Sequence, residues 1–227
     1  MGFLQSFLSL ASAGVLLISG TLQTAAPHQD PYGNLFLVNR AARISANWVP
    51  AVEDAGVPGQ VRNMRADAAA ALREMFAACK EEVGVTLVSV SGYRSYASQQ
   101  NIYHRKLKNV KGNVTKAEEY VAPPGASEHQ LGLAMDIGQR NKTNLSSSFG
   151  ETAGGVWARE NCWRFGFILR YDAPWEDVTG YKYEPWHFRY VGKEYAKEIH
   201  DSGLPLELWL QGHRLSVLQS LLNTGEN

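Results

Sequence analysis

Ser127-Glu128-His129-Gln130-Leu131-Gly132-Leu133-Ala134-Met135-Asp136 and, further along, Glu184-Pro185-Trp186-His187 decide the reading of this chain. Together they supply two imidazoles and one carboxylate for a metal, with a second carboxylate close to one imidazole. A catalytic zinc centre needs three protein ligands, an open position for water, and a base. Histidine is scarce, with six in the chain, and two of them fall in these stretches. His129, Asp136 and His187 are therefore the candidate ligands, and Glu184 is the candidate general base. Asp136 stands between Met135 and Ile137, an apolar setting where a carboxylate is costly unless it is paired or metal-bound. Gly132 lets the chain turn between His129 and Asp136. Residues three apart on a strand face opposite ways, so Glu184 and His187 share a site only if the chain bends between them. Pro185 supplies the break.

Outward from these stretches, periodicity gives an α+β layout. Met64, Ala68, Ala71, Leu72, Met75, Phe76 and Cys79 recur at helical spacing, so an amphipathic helix is expected over 65–82. Residues 85–90 are β-branched and short, a core strand ending at Gly92. Ser95 caps the helix that follows, through 109. One helical turn is expected at 117–120 before Pro123-Pro124 stops it. Strand and turn follow over 131–137, then a long polar loop over 141–155 and a helix over 156–165 ended by Gly166. Strands are expected at 167–171 and 183–191, and helices at 193–201 and 205–222. A further short strand is expected at Leu35-Phe36-Leu37-Val38.

The 227 residues suit one domain behind a leader. Residues 3–20 are apolar and uncharged, and small residues precede Pro27, so 1–26 reads as a signal peptide or N-terminal anchor and the chain as exported. Residues 27–60 read as an extended arm rich in Pro, Asn and Gly, and 61–227 as the catalytic domain. A formal net charge of zero argues against nucleic acid or an anionic membrane as main partner. No protein partner is evident and a monomer is expected. Cys79 and Cys162 lie away from the candidate ligands and form no Cys-x-x-Cys, so they read as small buried residues rather than zinc ligands. His104, His200 and His213 fall on charged helical segments and read as solvated, and His28 lies in the arm.

The pattern Ser127-x-His129-x-x-Gly132-x-Ala134-x-Asp136, with Glu184-x-Trp186-His187, resembles the VanY-type zinc D-alanyl-D-alanine carboxypeptidases, in the wider group of lysostaphin-like peptidases and the hedgehog signalling domain. The stretches 91–95, 124–129, 166–171 and 184–192 share the resemblance, which runs from about Met64 to about Gly203. It implies a small antiparallel central sheet flanked by helices in a single domain. It also implies hydrolysis of the terminal D-Ala-D-Ala bond of peptidoglycan stem peptides, with zinc on His129, Asp136 and His187 and proton transfer by Glu184. Arg94, Gln99 and Ser127 stand where the family contacts the substrate carboxylate or the tetrahedral intermediate, and an arginine fork suits either. Trp186 is expected to line the site. L,D-carboxypeptidase action on tetrapeptide stems, endopeptidase action, and a non-catalytic zinc-containing wall-binding module remain open at this point.

Overall fold

Four strands carry the site: β3 (Leu87–Ser91), β4 (Ala134–Gln139), β5 (Phe167–Leu169) and β6 (His187–Tyr190). They form one antiparallel sheet in the order β3-β4-β6-β5. The computed structural model describes residues 33–224; the expected leader, the start of the arm and His28 lie outside the described residues. Ahead of the sheet, β1 (Glu53–Asp54) and β2 (Asn63–Met64) pair antiparallel. The helices are α1 (Ala66–Val83), α2 (Tyr96–Asn109), α3 (Val114–Glu118), α4 (Ala153–Asn161), α5 (Glu176–Thr179), α6 (Lys193–Ser202) and α7 (Leu206–Thr224). Among the described residues no helix is long and apolar enough to cross a membrane.

Alternation along the strands sorts side chains onto two faces. Met135 and Ile137 of β4, Phe167 and Leu169 of β5 and Phe188 of β6 enter a core shared with Leu72, Met75 and Phe76 of α1 and Trp157 of α4. The other face carries Asp136, His187, Arg189 and Ile168. Ile168 meets a second apolar cluster made by Leu35 and Leu37 of the arm, Ile199 of α6, and Leu206 and Trp209 of α7. The functional face is thus roofed by both ends of the described chain.

Several expected elements differ in detail. Residues 35–38 are not a strand: a 3-10 turn spans Gly33–Leu35, and the apolar run packs as irregular chain. The carbonyls of Asn34 and Phe36 accept from the Arg189 guanidinium instead of from a ladder. The loop expected over 141–155 contains a 3-10 turn at Ser147–Phe149, and its end belongs to α4, whose N-cap Thr152 accepts from the Gly155 amide. The helix expected over 156–165 is α4 followed by a 3-10 turn, Cys162–Phe165, closed by left-handed Gly166. The strand expected over 183–191 is formed only by His187–Tyr190. Cys79 and Cys162 are both buried and free. His213 is not simply solvated; it is half-buried and stacks on Trp209 at 4.7 Å between ring centres.

Candidate metal centre and cleft

β4 and β6 bring two of the candidate ligands side by side, because Asp136 pairs with His187 in the ladder. His129 comes from the 3-10 turn Glu128–Leu131, closed by Gly132 at φ 70, a left-handed conformation suited to glycine. The backbone then doubles back into β4 and carries Asp136 towards His129. One nitrogen or oxygen from each of His129, Asp136 and His187 lies within 4.8 Å of the others, and all three residues are buried. Asp136 sits between the imidazoles, with Oδ2 at 3.2 Å from His129 Nε2 and Oδ1 at 3.0 Å from His187 Nδ1.

The opposite ring atoms are also held. His129 Nδ1 lies 2.8 Å from the Gly92 carbonyl, so it carries the proton and donates. That leaves an acceptor, His129 Nε2, facing an acceptor, Asp136 Oδ2, across 3.2 Å. Such a contact calls for a cation or a proton between the two atoms. Two imidazoles and one buried carboxylate converging on one point are a donor set that zinc takes at about 2.0–2.2 Å. The residues present therefore fit a zinc ion. Gly92 is fixed by close approach: a Cβ there would come within 2.5 Å of the Asn63 carbonyl.

The charges answer to this geometry. Burial alone would raise the Asp136 carboxyl, but the adjacent His129 and His187 hold it well below the usual carboxylate range. Burial works against a charged His187, yet its hydrogen bonds with Asp136 and Glu128 push the imidazole up to about 9. Burial and the nearby Arg94 guanidinium lower His129. Metal binding replaces protons at such sites, so an imidazole raised by carboxylates marks where a cation is wanted.

Glu184 reaches the site through a turn. The His187 amide donates to the Glu184 carbonyl at 3.1 Å across Pro185 and Trp186, and the Glu184 amide donates to Tyr171 at 2.9 Å. This is the bend the spacing requires. Glu184 is 6 % exposed, and burial lifts its carboxyl to about 8, against the opposing pull of His187 and Arg94. A carboxyl tuned into the neutral range is suited to moving a proton.

Arg94 follows a bulge in β3, where the register shifts between Ser89 and Ser91. Its Nη1 donates to Gln99 Oε1 at 2.7 Å and its Nη2 to Ser91 Oγ at 2.9 Å, with Asp136 Oδ2 at 3.6 Å. Gln99 lines the cleft beside Arg94; its Oε1 accepts from Arg94, and its amide nitrogen donates to the Ala122 carbonyl at 2.6 Å and keeps a second hydrogen. A cleft of about 490 Å³ is lined by Arg94, Ser127, Glu184, Trp186 and the three clustered residues, with Lys106 and Tyr181 among its other walls. The Tyr181 hydroxyl is buried and has no hydrogen-bond partner among the described residues.

Sequence reasoning passed over Glu128, Arg170, Arg189 and Glu207. Glu128 Oε2 lies 3.2 Å from His187 Nε2, and its Oε1 accepts from Arg170 and Arg189. The signal was available in part: Arg170, just past β5, and Arg189, within β6, fall on the side opposite core residues, where an unpaired arginine is not expected.

With fold and site in place, the chain belongs to the VanY D-alanyl-D-alanine carboxypeptidase family, whose model matches residues 61–193. The D-alanyl-D-alanine carboxypeptidase of Enterococcus faecalis (strain ATCC 700802 / V583) is 38% identical over 200 residues, 84% of this chain and 70% of that protein. Among solved structures, the LdcB LD-carboxypeptidase matches with a TM-score of 0.75 and 46% identity, over 81% of this chain and 88% of LdcB. A variant of the vancomycin-resistance D,D-pentapeptidase VanY in complex with Zn(II) matches with a TM-score of 0.66 and 37% identity, over 78% of this chain and 98% of that one.

Proposed function

We propose that this chain is a zinc carboxypeptidase that removes the terminal D-alanine from peptidoglycan stem peptides ending in D-Ala-D-Ala. The observation that carries the reading is the convergence of His129, Asp136 and His187 in a cleft that also holds Glu184 and Arg94. His129 Nε2, an Asp136 oxygen and His187 Nδ1 would hold the metal. Zinc bound there supplies a Lewis acid for the scissile carbonyl and lowers the pKa of water.

The chain's own groups do the rest. Glu184 takes a proton from the attacking water and returns it to the departing amine. Its burial keeps that carboxylate dry and its basicity high. Arg94, held by Gln99 and Ser91, forks on the free carboxylate of the substrate, and the Ser127 hydroxyl adds a donor beside it. Trp186 walls the cleft and limits water. One chain supplies every group, which supports a monomer. A peptidoglycan substrate, with the uncharged apolar stretch over 3–20, supports export and a signal peptide or anchor.

The similarity to the LdcB LD-carboxypeptidase favours a second reading, release of D-alanine from the L,D bond of a tetrapeptide stem. Mass spectrometry of products from tetra- and pentapeptide stems tests both. The first reading expects the pentapeptide to lose one D-alanine and stop; the second expects the tetrapeptide to be cut in preference.

A further inference from the structure

Among the described residues, two arginines, Arg170 and Arg189, are the largest fully buried side chains, and the mechanism above uses neither. Burying a guanidinium is costly, and a paired cluster of this kind often stabilises no more than apolar residues of similar size. The hydrogen bonds lead to His187. Glu128 Oε1 accepts from Arg170 Nε at 2.8 Å and from Arg189 Nη1 at 2.9 Å. Its Oε2 is left for His187 Nε2 at 3.2 Å. Arg170 turns both Nη groups to the Glu207 carboxylate on α7. Arg189 Nη2 donates to the carbonyls of Asn34 and Phe36 at 2.9 and 3.0 Å. Two guanidiniums thus stand against two carboxylates, and His187 need carry no charge to balance them. A carboxylate only accepts, so His187 donates from Nε2 to Glu128 and from Nδ1 to Asp136 Oδ1 at 3.0 Å; a metal taking Nδ1 would displace the second proton and leave the first on Nε2.

We propose that Glu128 is the positioning residue of His187, fixing the ring and its tautomer so that Nδ1 faces the metal. In turn, α7 through Glu207 and Arg170, and the arm through Arg189, hold Glu128 in place. Segments outside 61–193 thereby set metal affinity. The inference rests on the zinc reading above.

The test uses the full chain, histidine-labelled with 15N and zinc-loaded, with chelator competition for zinc affinity. In wild type, the His187 shifts should report a proton on Nε2 and metal on Nδ1. Glu128→Gln should weaken zinc binding by roughly 10–100-fold, the usual effect of losing a partner behind a ligand. Because that change leaves two guanidiniums short of a partner and risks misfolding, Glu207→Gln is measured beside it; a severalfold loss of affinity with shifted His187 resonances is expected. The proposal is overturned by metal on His187 Nε2. It is also overturned by a folded Glu128→Gln protein, or failing that a folded Glu207→Gln protein, with wild-type zinc affinity and His187 shifts, whatever its thermal stability. A wild-type chain that binds no zinc would overturn the metal reading itself, and this proposal with it.

Discussion

Replacing Arg94 by lysine keeps the positive charge and removes the fork, and the structure gives the expected loss. Arginine offers five N–H groups, and two of Arg94's are engaged, one on each Nη, by Gln99 at 2.7 Å and Ser91 at 2.9 Å. One hydrogen on each Nη remains, a pair suited to bidentate binding of a carboxylate. Lysine has three hydrogens on one nitrogen; with Gln99 and Ser91 satisfied, a single one is left. The loss is one charge-assisted hydrogen bond, about 1.5–3 kcal/mol, or roughly 10–150-fold at about 1.4 kcal/mol per factor of ten. It should appear in kcat/KM on a pentapeptide stem with a free C-terminal carboxylate. On the same peptide amidated at its C-terminus, wild type should already be slow, and Arg94→Lys should change little further. Equal wild-type rates on acid and amide would refute the carboxylate-clamp role. They would move Arg94 to stabilising the developing oxyanion, and the enzyme towards endopeptidase action.

Glu184→Gln should retain zinc and fold while losing about 10²–10⁴ in turnover; near-normal turnover with metal present removes Glu184 from the mechanism. The base acts only when ionised, so kcat/KM should fall as pH drops through its pKa. Burial lifts that pKa from 4.5 to about 8 and a nearby cation lowers it, so the acid limb should lie between those values and be absent in Glu184→Gln. Alanine at His129, Asp136 or His187 should abolish zinc binding measured by metal analysis, while His104→Ala should leave it intact. Gly92→Ala, whose Cβ would come within 2.5 Å of the Asn63 carbonyl, should displace the carbonyl that orients His129 and weaken zinc binding by chelator competition.

Much of the site was legible because it is local. Asp136 between apolar neighbours, Gly132 after His129, and Pro185 between Glu184 and His187 each announce a constraint that the backbone meets with a ladder, a left-handed turn and a bend. The pairing of Asp136 with His187 follows once β4 and β6 lie antiparallel. What was not legible depends on distant contacts. Glu128 meets Arg170 and Arg189 across sequence separations of 42 and 61 residues, and no spacing rule links them. The bonds of Gln99 to Arg94 and to the Ala122 carbonyl were not legible either, because a loop-to-helix position carries no sign of which groups its amide will meet. Residues 35–38 misled because a short apolar run buries equally well as strand or irregular chain. Leu35 and Leu37 pack with α6 and α7 while Phe36 and Val38 enter the main core, contacts that lie far away in sequence.

The central claim is metal-dependent release of one D-alanine, and product mass measurement tests it most directly. The full chain, loaded with one zinc, is incubated with a pentapeptide stem ending in D-Ala-D-Ala, with and without prior removal of metal by a chelator. The account predicts a single product lighter by one D-alanine, absent after chelation and restored by added zinc. Undiminished cleavage by the metal-free protein, or an intact pentapeptide with the zinc-loaded one, would contradict it.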